Sequence, residues 1–244
     1  MRKIITLIFL LISHISFAQW SNSYAFLGAG QSFYQGDINA TALPSSHILN
    51  MSYKFGLGYN LHTRLGLTLH YSVTNLNGSD YFVKDEAKNA RGLSFNSPLN
   101  EFGLNIKIRN LTGKESRVIS YLFSGFNYFK FNPIVTLSQN SEINYSVEKG
   151  YATSGINIPF GFGFGWWFTG NIGLVWESSL HITYTDYLDG ISKNGNPNFK
   201  DAFVDSHFML LFKFSKWEGA GKKTQKRSKG WSPKKVGRIK CPSY

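Results

Sequence analysis

The sequence predicts an all-β fold, an eight-stranded antiparallel up-and-down transmembrane β-barrel, and three observations carry that reading. Eight segments alternate apolar and polar residues with a period of two, the connections between them are long and short by turns, and an export signal precedes them all. After residue 18 no apolar run is long enough for a spanning helix. A bilayer offers no water to unpaired backbone groups, so a chain without such helices spans it only as a closed sheet.

Residues 1–18 read as a secretory signal peptide, with Arg2 and Lys3 ahead of an apolar run and small Ala18 ahead of Gln19. Cleavage there leaves no cysteine at the new N-terminus, so membrane integration falls to the barrel, expected over 19–215. Strands are predicted at 24–34, 48–59, 64–76, 98–109, 117–131, 158–168, 172–185 and 203–214. Eleven residues rising about 3.3 Å each and tilted by about 40° cover roughly 28 Å, enough for the apolar band of such barrels.

In the third strand Leu65, Leu67, Leu69, Tyr71 and Val73 oppose Arg64, Gly66, Thr68, His70, Ser72 and Thr74. The fourth sets Phe102, Leu104, Ile106 and Ile108 against Glu101, Asn105, Lys107 and Arg109. The sixth alternates Phe160, Phe162, Phe164 and Trp166 with three glycines, and the seventh sets Ile172, Leu174, Trp176, Leu180 and Ile182 against Val175, Glu177, Ser179, His181 and Thr183. The first and fifth alternate too poorly to assign faces. Connections 60–63, 110–116 and 169–171 are short, whereas 35–47, 77–97, 132–157 and 186–202 are long and polar. In bacterial barrels short turns face the periplasm, so both termini are expected there.

An eight-stranded barrel is just wide enough for side chains to fill it, so a pore is not expected. The predicted lumen network comprises Lys54, Arg64, Glu101, Lys107, Arg109, Glu177 and His181, with Lys213, His70 and His207 beside them. Buried charges must be paired, which makes Glu101 and Glu177 the expected hubs for the cations, helped by trapped water. Glu177, Ser179 and His181 share a strand face and invite comparison with a lipid-modifying hydrolase. At about 6.6 Å along the strand, positions two apart are expected to be too distant for a nucleophile-to-base hydrogen bond. No catalytic residue, cofactor or metal site is assigned, and Asp186 with Asp189 gives too few ligands for calcium.

Of the 26 basic residues, ten lie in 216–244 beside one acid, Glu218, whereas residues 19–215 are nearly neutral. The basic tail comprises Lys216, Lys222, Lys223, Lys226, Arg227, Lys229, Lys234, Lys235, Arg238 and Lys240. Behind an export signal such a tail points away from nucleic acid, toward an acidic protein, anionic lipid phosphates or peptidoglycan carboxylates, or toward a merely solvated segment. The single cysteine, Cys241, has no intramolecular partner, which leaves an intermolecular disulfide, a free thiol or metal binding. Arg238 and Lys240 beside it favour the thiolate.

Five segments form a pattern: Tyr34-Gln35-Gly36-Asp37, Arg91-Gly92-Leu93-Ser94-Phe95, Phe131-Asn132-Pro133, Ile158-Pro159-Phe160-Gly161, and Thr185-Asp186-Tyr187-Leu188-Asp189-Gly190-Ile191-Ser192. Together with a cysteine-bearing tail they resemble the PorG family, small outer-membrane barrels of the type IX secretion and gliding machinery of Bacteroidetes. The resemblance implies a non-enzymatic outer-membrane protein that positions a periplasmic ring built by a lipoprotein and a soluble partner. It makes Cys241 the candidate bond to the ring lipoprotein and the tail cations its contact surface. A flexible tail of 30 residues spans roughly 30 Å, enough to reach a ring beneath the membrane. The alternative is a surface-binding or adhesion barrel acting through its long outer loops.

Overall fold

The computed structural model describes residues 22–36, 38, 50–80, 92–109, 117–137, 140–144, 152–190 and 200–214. Residues 1–18, expected as the signal, and the basic tail, with Cys241, lie outside the described residues, as do Asp37 and Arg91. The strands are β1 (Ser23–Gln35), β2 (Met51–Asn60), β3 (Leu65–Ser79), β4 (Leu93–Arg109), β5 (Val118–Phe131), β6 (Ile134–Leu137), β7 (Asn140–Asn144), β8 (Ser154–Trp167), β9 (Ile172–Thr183) and β10 (Ala202–Lys213). Eight of them form the wall in the order β3-β2-β1-β10-β9-β8-β5-β4, and pairing of β3 with β4 closes the ring. Every pairing is antiparallel, so the wall is a closed up-and-down barrel. Closure removes both sheet edges, as hydrocarbon requires. The described ends of the first and last wall strands meet at the short-turn end, where the Phe214 amide donates to the Ser23 carbonyl (3.2 Å).

Alternation sorts the side chains as period two demands. Leu57, Phe102, Ile106, Phe160 and Trp166 are exposed on the outside, while Ser52, His70, Glu101, Asn105 and Glu177 are buried inside. β1 and β5 point Tyr24, Phe26, Tyr121 and Phe123 inward, which explains why their sequences alternate poorly: both of their faces carry apolar side chains. Those inward rings occupy space that glycines leave open. A Cβ on Gly163 would run into the Tyr121 ring, one on Gly161 into Phe123, and one on Gly58 into Tyr24.

The interior is layered. Tyr24, Phe26, Tyr121, Phe123, Trp167, Val175, Met209 and Leu211, among others, fill the short-turn end. A charged layer crosses the middle, and a second apolar cluster, including Tyr34, Leu76, Phe95, Phe129, Leu188 and Phe203, fills the long-connection end.

The long-connection end differs from the sequence expectation. β3 continues to Ser79 and β4 starts at Leu93, extending their pairing to Ser79↔Ser94. Within 132–157, β6 pairs with the start of β4 and β7 pairs with β6. These stretches look like polar loop locally, but Leu93, Phe95 and Val135 are buried in the upper cluster, and that burial holds the flanking backbone extended.

Gly163→Val forces Tyr121 from its slot, and overpacking of this kind costs about 1–3 kcal/mol. The expected readout is a lower urea midpoint for the detergent-folded barrel, with Tyr121→Ala in the same chain restoring part of the loss.

Candidate functional site

Two polar constellations stand out, one inside the barrel and one at its mouth. In the charged layer Glu177 accepts from Lys54 Nζ (3.0 Å), Lys107 Nζ (3.0 Å) and Tyr121 Oη (2.5 Å). Lys107 Nζ also lies 4.1 Å from the centre of the Tyr121 ring, a cation–π contact. Glu101 instead gathers His70 (3.5 Å), His181 (3.3 Å) and the Asn157 amide (2.6 Å). It is thus a hub for imidazoles and amides rather than for lysines.

The sequence reading missed a third carboxylate. Asp205 lies 3.7 Å from Lys54, 3.2 Å from His181 and 3.5 Å from His207. It stands on the inward parity of β10, two residues before His207, and that parity is the signal that could have found it. Arg64 is corrected: it lies exposed beside the β2–β3 turn, because its position precedes the strand and its side chain is free to leave the lumen. Arg109 and Lys213 are half-buried at the short-turn rim, with Lys213 Nζ over the Trp167 ring at 3.9 Å.

Ser179 and His181 correct a second expectation. Side chains of a strand lean along it, and the two polar tips meet, with Ser179 Oγ 3.1 Å from His181 Nε2. The Ser179 hydroxyl donates to Asp205 Oδ1. His181 Nδ1 faces Glu101 Oε2 and Asn157 Oδ1 (both 3.3 Å), while Nε2 faces Asp205 and Ser179. Acceptors at both ring nitrogens suit a ring that donates from both.

At the mouth, segments far apart in sequence converge. Tyr34, Leu93, Phe95, Phe131 and Leu188, from four of the five motif segments, share one buried cluster. The segment after β9 folds back over the opening and inserts Leu188, which is fully buried. Burying a leucine contributes about 1.5–3 kcal/mol. Polar pins hold the insertion. Asp201 accepts from Tyr34 Oη (2.5 Å) and the Leu188 amide (2.8 Å), and Asp189 accepts from the Ile38 amide (3.2 Å).

Two glycines make this fit possible. A Cβ on Gly36 would collide with the Tyr34 hydroxyl and Asp201. Gly190 has φ of +82° and closes a turn onto the Tyr187 carbonyl (3.0 Å), a conformation other residues resist. Asp186 is buried and Tyr187 packs partly against the cluster. Among the described residues no group of three or more His, Cys, Asp or Glu side chains is arranged to hold a metal ion.

Two outcomes follow. Glu177→Ala leaves Lys54 and Lys107 facing each other without their shared carboxylate; removing one member of a buried ion pair costs about 3–5 kcal/mol. Urea unfolding of the detergent-folded protein is expected to show that loss, and Glu177→Gln a smaller one. At the mouth, burial and then the Asp189 carboxylate push the Asp201 acid up to about 8. A carboxyl raised on folding stabilises the fold in its protonated form, so its contribution is full below about pH 4 and is lost as pH rises through about 8. Hydrogen exchange at the Leu188 and Ile38 amides, corrected for intrinsic rates, is therefore expected to quicken between those values, and Asp201→Asn to flatten the dependence.

No curated protein matches the chain. Among solved structures it is similar to Neisserial surface protein A, at 13% identity over 80% of this chain and 98% of that one, with a TM-score of 0.50. It is also similar to a major outer membrane protein from Thermus thermophilus, at 12% identity over 78% and 99% with a TM-score of 0.45. The N-terminal β-barrel domain of OprF from Pseudomonas aeruginosa matches at 16% identity over 79% and 98%, with a TM-score of 0.42. The likeness to the Neisserial protein lies in the fold, that of an outer-membrane β-barrel. A family model described as a domain of unknown function, DUF6089, matches residues 1–215, and the chain therefore belongs to the DUF6089 family.

Proposed function

We propose that the protein is a non-enzymatic outer-membrane component of the type IX secretion machinery, of the PorG type, that positions the periplasmic ring through its C-terminal tail. The observation that carries this reading is the sealed interior: two apolar plugs enclose a paired charged layer, and the mouth is closed by Leu188. A barrel filled in this way suits an anchor better than a conduit. Residues from four of the five segments that support the family resemblance also build the mouth.

Catalysis is disfavoured on two grounds. Ser179 and His181 are buried between the plugs. The Ser179 proton is directed to Asp205, and the His181 nitrogen beside it also faces that carboxylate, so the imidazole is poorly set to take a proton from serine.

In this reading short turns and both termini face the periplasm, where the tail cations meet an acidic surface of the ring lipoprotein and Cys241 bonds to it. A non-reducing denaturing gel of native envelopes is expected to show a reductant-sensitive adduct that Cys241→Ser abolishes. Persistence of the adduct in Cys241→Ser would remove the disulfide from the proposal. The adhesion alternative draws support from the β6–β7 hairpin, which extends the sheet from the start of β4 beside the mouth. It predicts that deleting 216–244 is harmless to function while loop 186–202 is essential, the reverse of the anchor reading.

A further inference from the structure

The outer wall is irregular between β4, β5 and β8. A groove of about 420 Å³ runs along it, walled by Leu104 and Ile106 of β4, Leu122 and Phe126 of β5 and Ile158 of β8. Its floor is Ser124, a small residue on the outward parity of β5, and Gly125, which carries no side chain. The neighbouring ladder is interrupted at the same level. β5 and β8 pair at Ser124↔Phe160 and again at Asn127↔Asn157, with no pair between, where Pro159 has no amide hydrogen to offer. The motif segment at 158–161, which takes no part in the mouth, is therefore part of this feature.

Above the groove on the same outward parity of β5 come Tyr128 and then Lys130. Among the described residues Lys130 is the one charged side chain on the outward face of the eight wall strands. It is exposed, and its lateral neighbours, Asn100 on β4 and Ser154 on β8, are neutral. It stands four positions along the strand from Phe126, about 13 Å. An acyl chain in the groove would place a lipid headgroup near that cation, on the side of the long connections.

We propose that this groove and Lys130 form a binding site for a phosphate-bearing lipid of the outer leaflet, lipid A, with an acyl chain on the Ser124–Gly125 floor and a phosphate paired with Lys130. The proposal rests on the outer-membrane reading with long connections outward. Charge complementarity selects the occupant: a lone cation on an apolar wall suits a phosphate, and a neutral lipid leaves it unused.

The test is native mass spectrometry of the full-length protein in detergent micelles, titrated with monophosphoryl lipid A. Lys130→Gln is expected to weaken binding about fivefold, the contribution of one cation near a lipid phosphate. Ser124→Phe, which fills the groove from the lipid side, is expected to weaken it at least as much. Lys200→Gln, at an exposed site beyond the wall strands, is expected to bind as the unchanged protein does. Retained heat-modifiable migration on gels certifies that each variant is folded. Unchanged binding in folded Lys130→Gln or Ser124→Phe overturns the site, as does an equal loss in Lys200→Gln. Tighter binding of phosphatidylglycerol than of monophosphoryl lipid A overturns the choice of lipid. Envelope fractionation separates the two failures: a chain absent from the outer membrane refutes the reading beneath the proposal, whereas a chain present there without lipid A preference refutes the site alone.

Discussion

A sheet immersed in hydrocarbon cannot leave an edge unpaired, and closing this one with only eight strands confines everything inside it to a narrow cylinder. Much of the structure answers that confinement. Side chains must fill the interior, so inward rings on β1 and β5 are matched by inward glycines such as Gly58, Gly161 and Gly163 on neighbouring strands. Polar groups inside must find partners inside. Glu177, Glu101 and Asp205 therefore find Lys54, Lys107, His70, His181 and His207 within the lumen, some across the ring, some on a neighbouring strand and one, His207 beside Asp205, along the same strand. Each carboxylate joins strands that do not pair with one another: Glu177 on β9 reaches Lys54 on β2 and Lys107 on β4.

Such cross-ring bonds cost desolvation, and their net contribution to stability is smaller than their short distances imply. What they specify is register. A slip of one residue in any strand turns the charged set outward into lipid, where the penalty is far larger. Apolar clusters lie on either side of the charged layer, and the low dielectric they provide strengthens the pairing and makes each partner matter to the others.

The mouth obeys the same rule with different materials. There the strands have risen past the outward apolar belt, and the opening is closed by a folded-back segment instead of by bilayer. Leu188 supplies apolar burial, and Asp201 and Asp189 satisfy the amides that the fold-back would otherwise strand. Tyr34 links the end of β1 to Asp201, the residue just before β10, adding a side-chain tie at the end of the ladder between these adjacent strands.

The sequence by itself determined the number of wall strands, their order of long and short connections, and the facing of most residues in the middle of β3, β4, β8 and β9. It did not determine the facing of the strand ends at 77–79, 93–97 and 154–157, which it read as connection. Period-two alternation is a local property, and a belt against lipid writes it strongly. The lumen set was half legible for the same reason: parity placed Lys54, Glu101, Lys107, Glu177 and His181 inside, yet could not say which would touch. Only the tertiary structure decided that Glu177 takes the lysines, that Asp205 and Glu101 flank His181, that Ser179 reaches His181, and that Arg64 stays outside. Those outcomes depend on strand stagger around a closed ring, which brings together residues far apart in the chain. The mouth was legible as motif and not as structure, because the burial that orders Leu93, Val135 and Leu188 exists only once the barrel has closed beneath them.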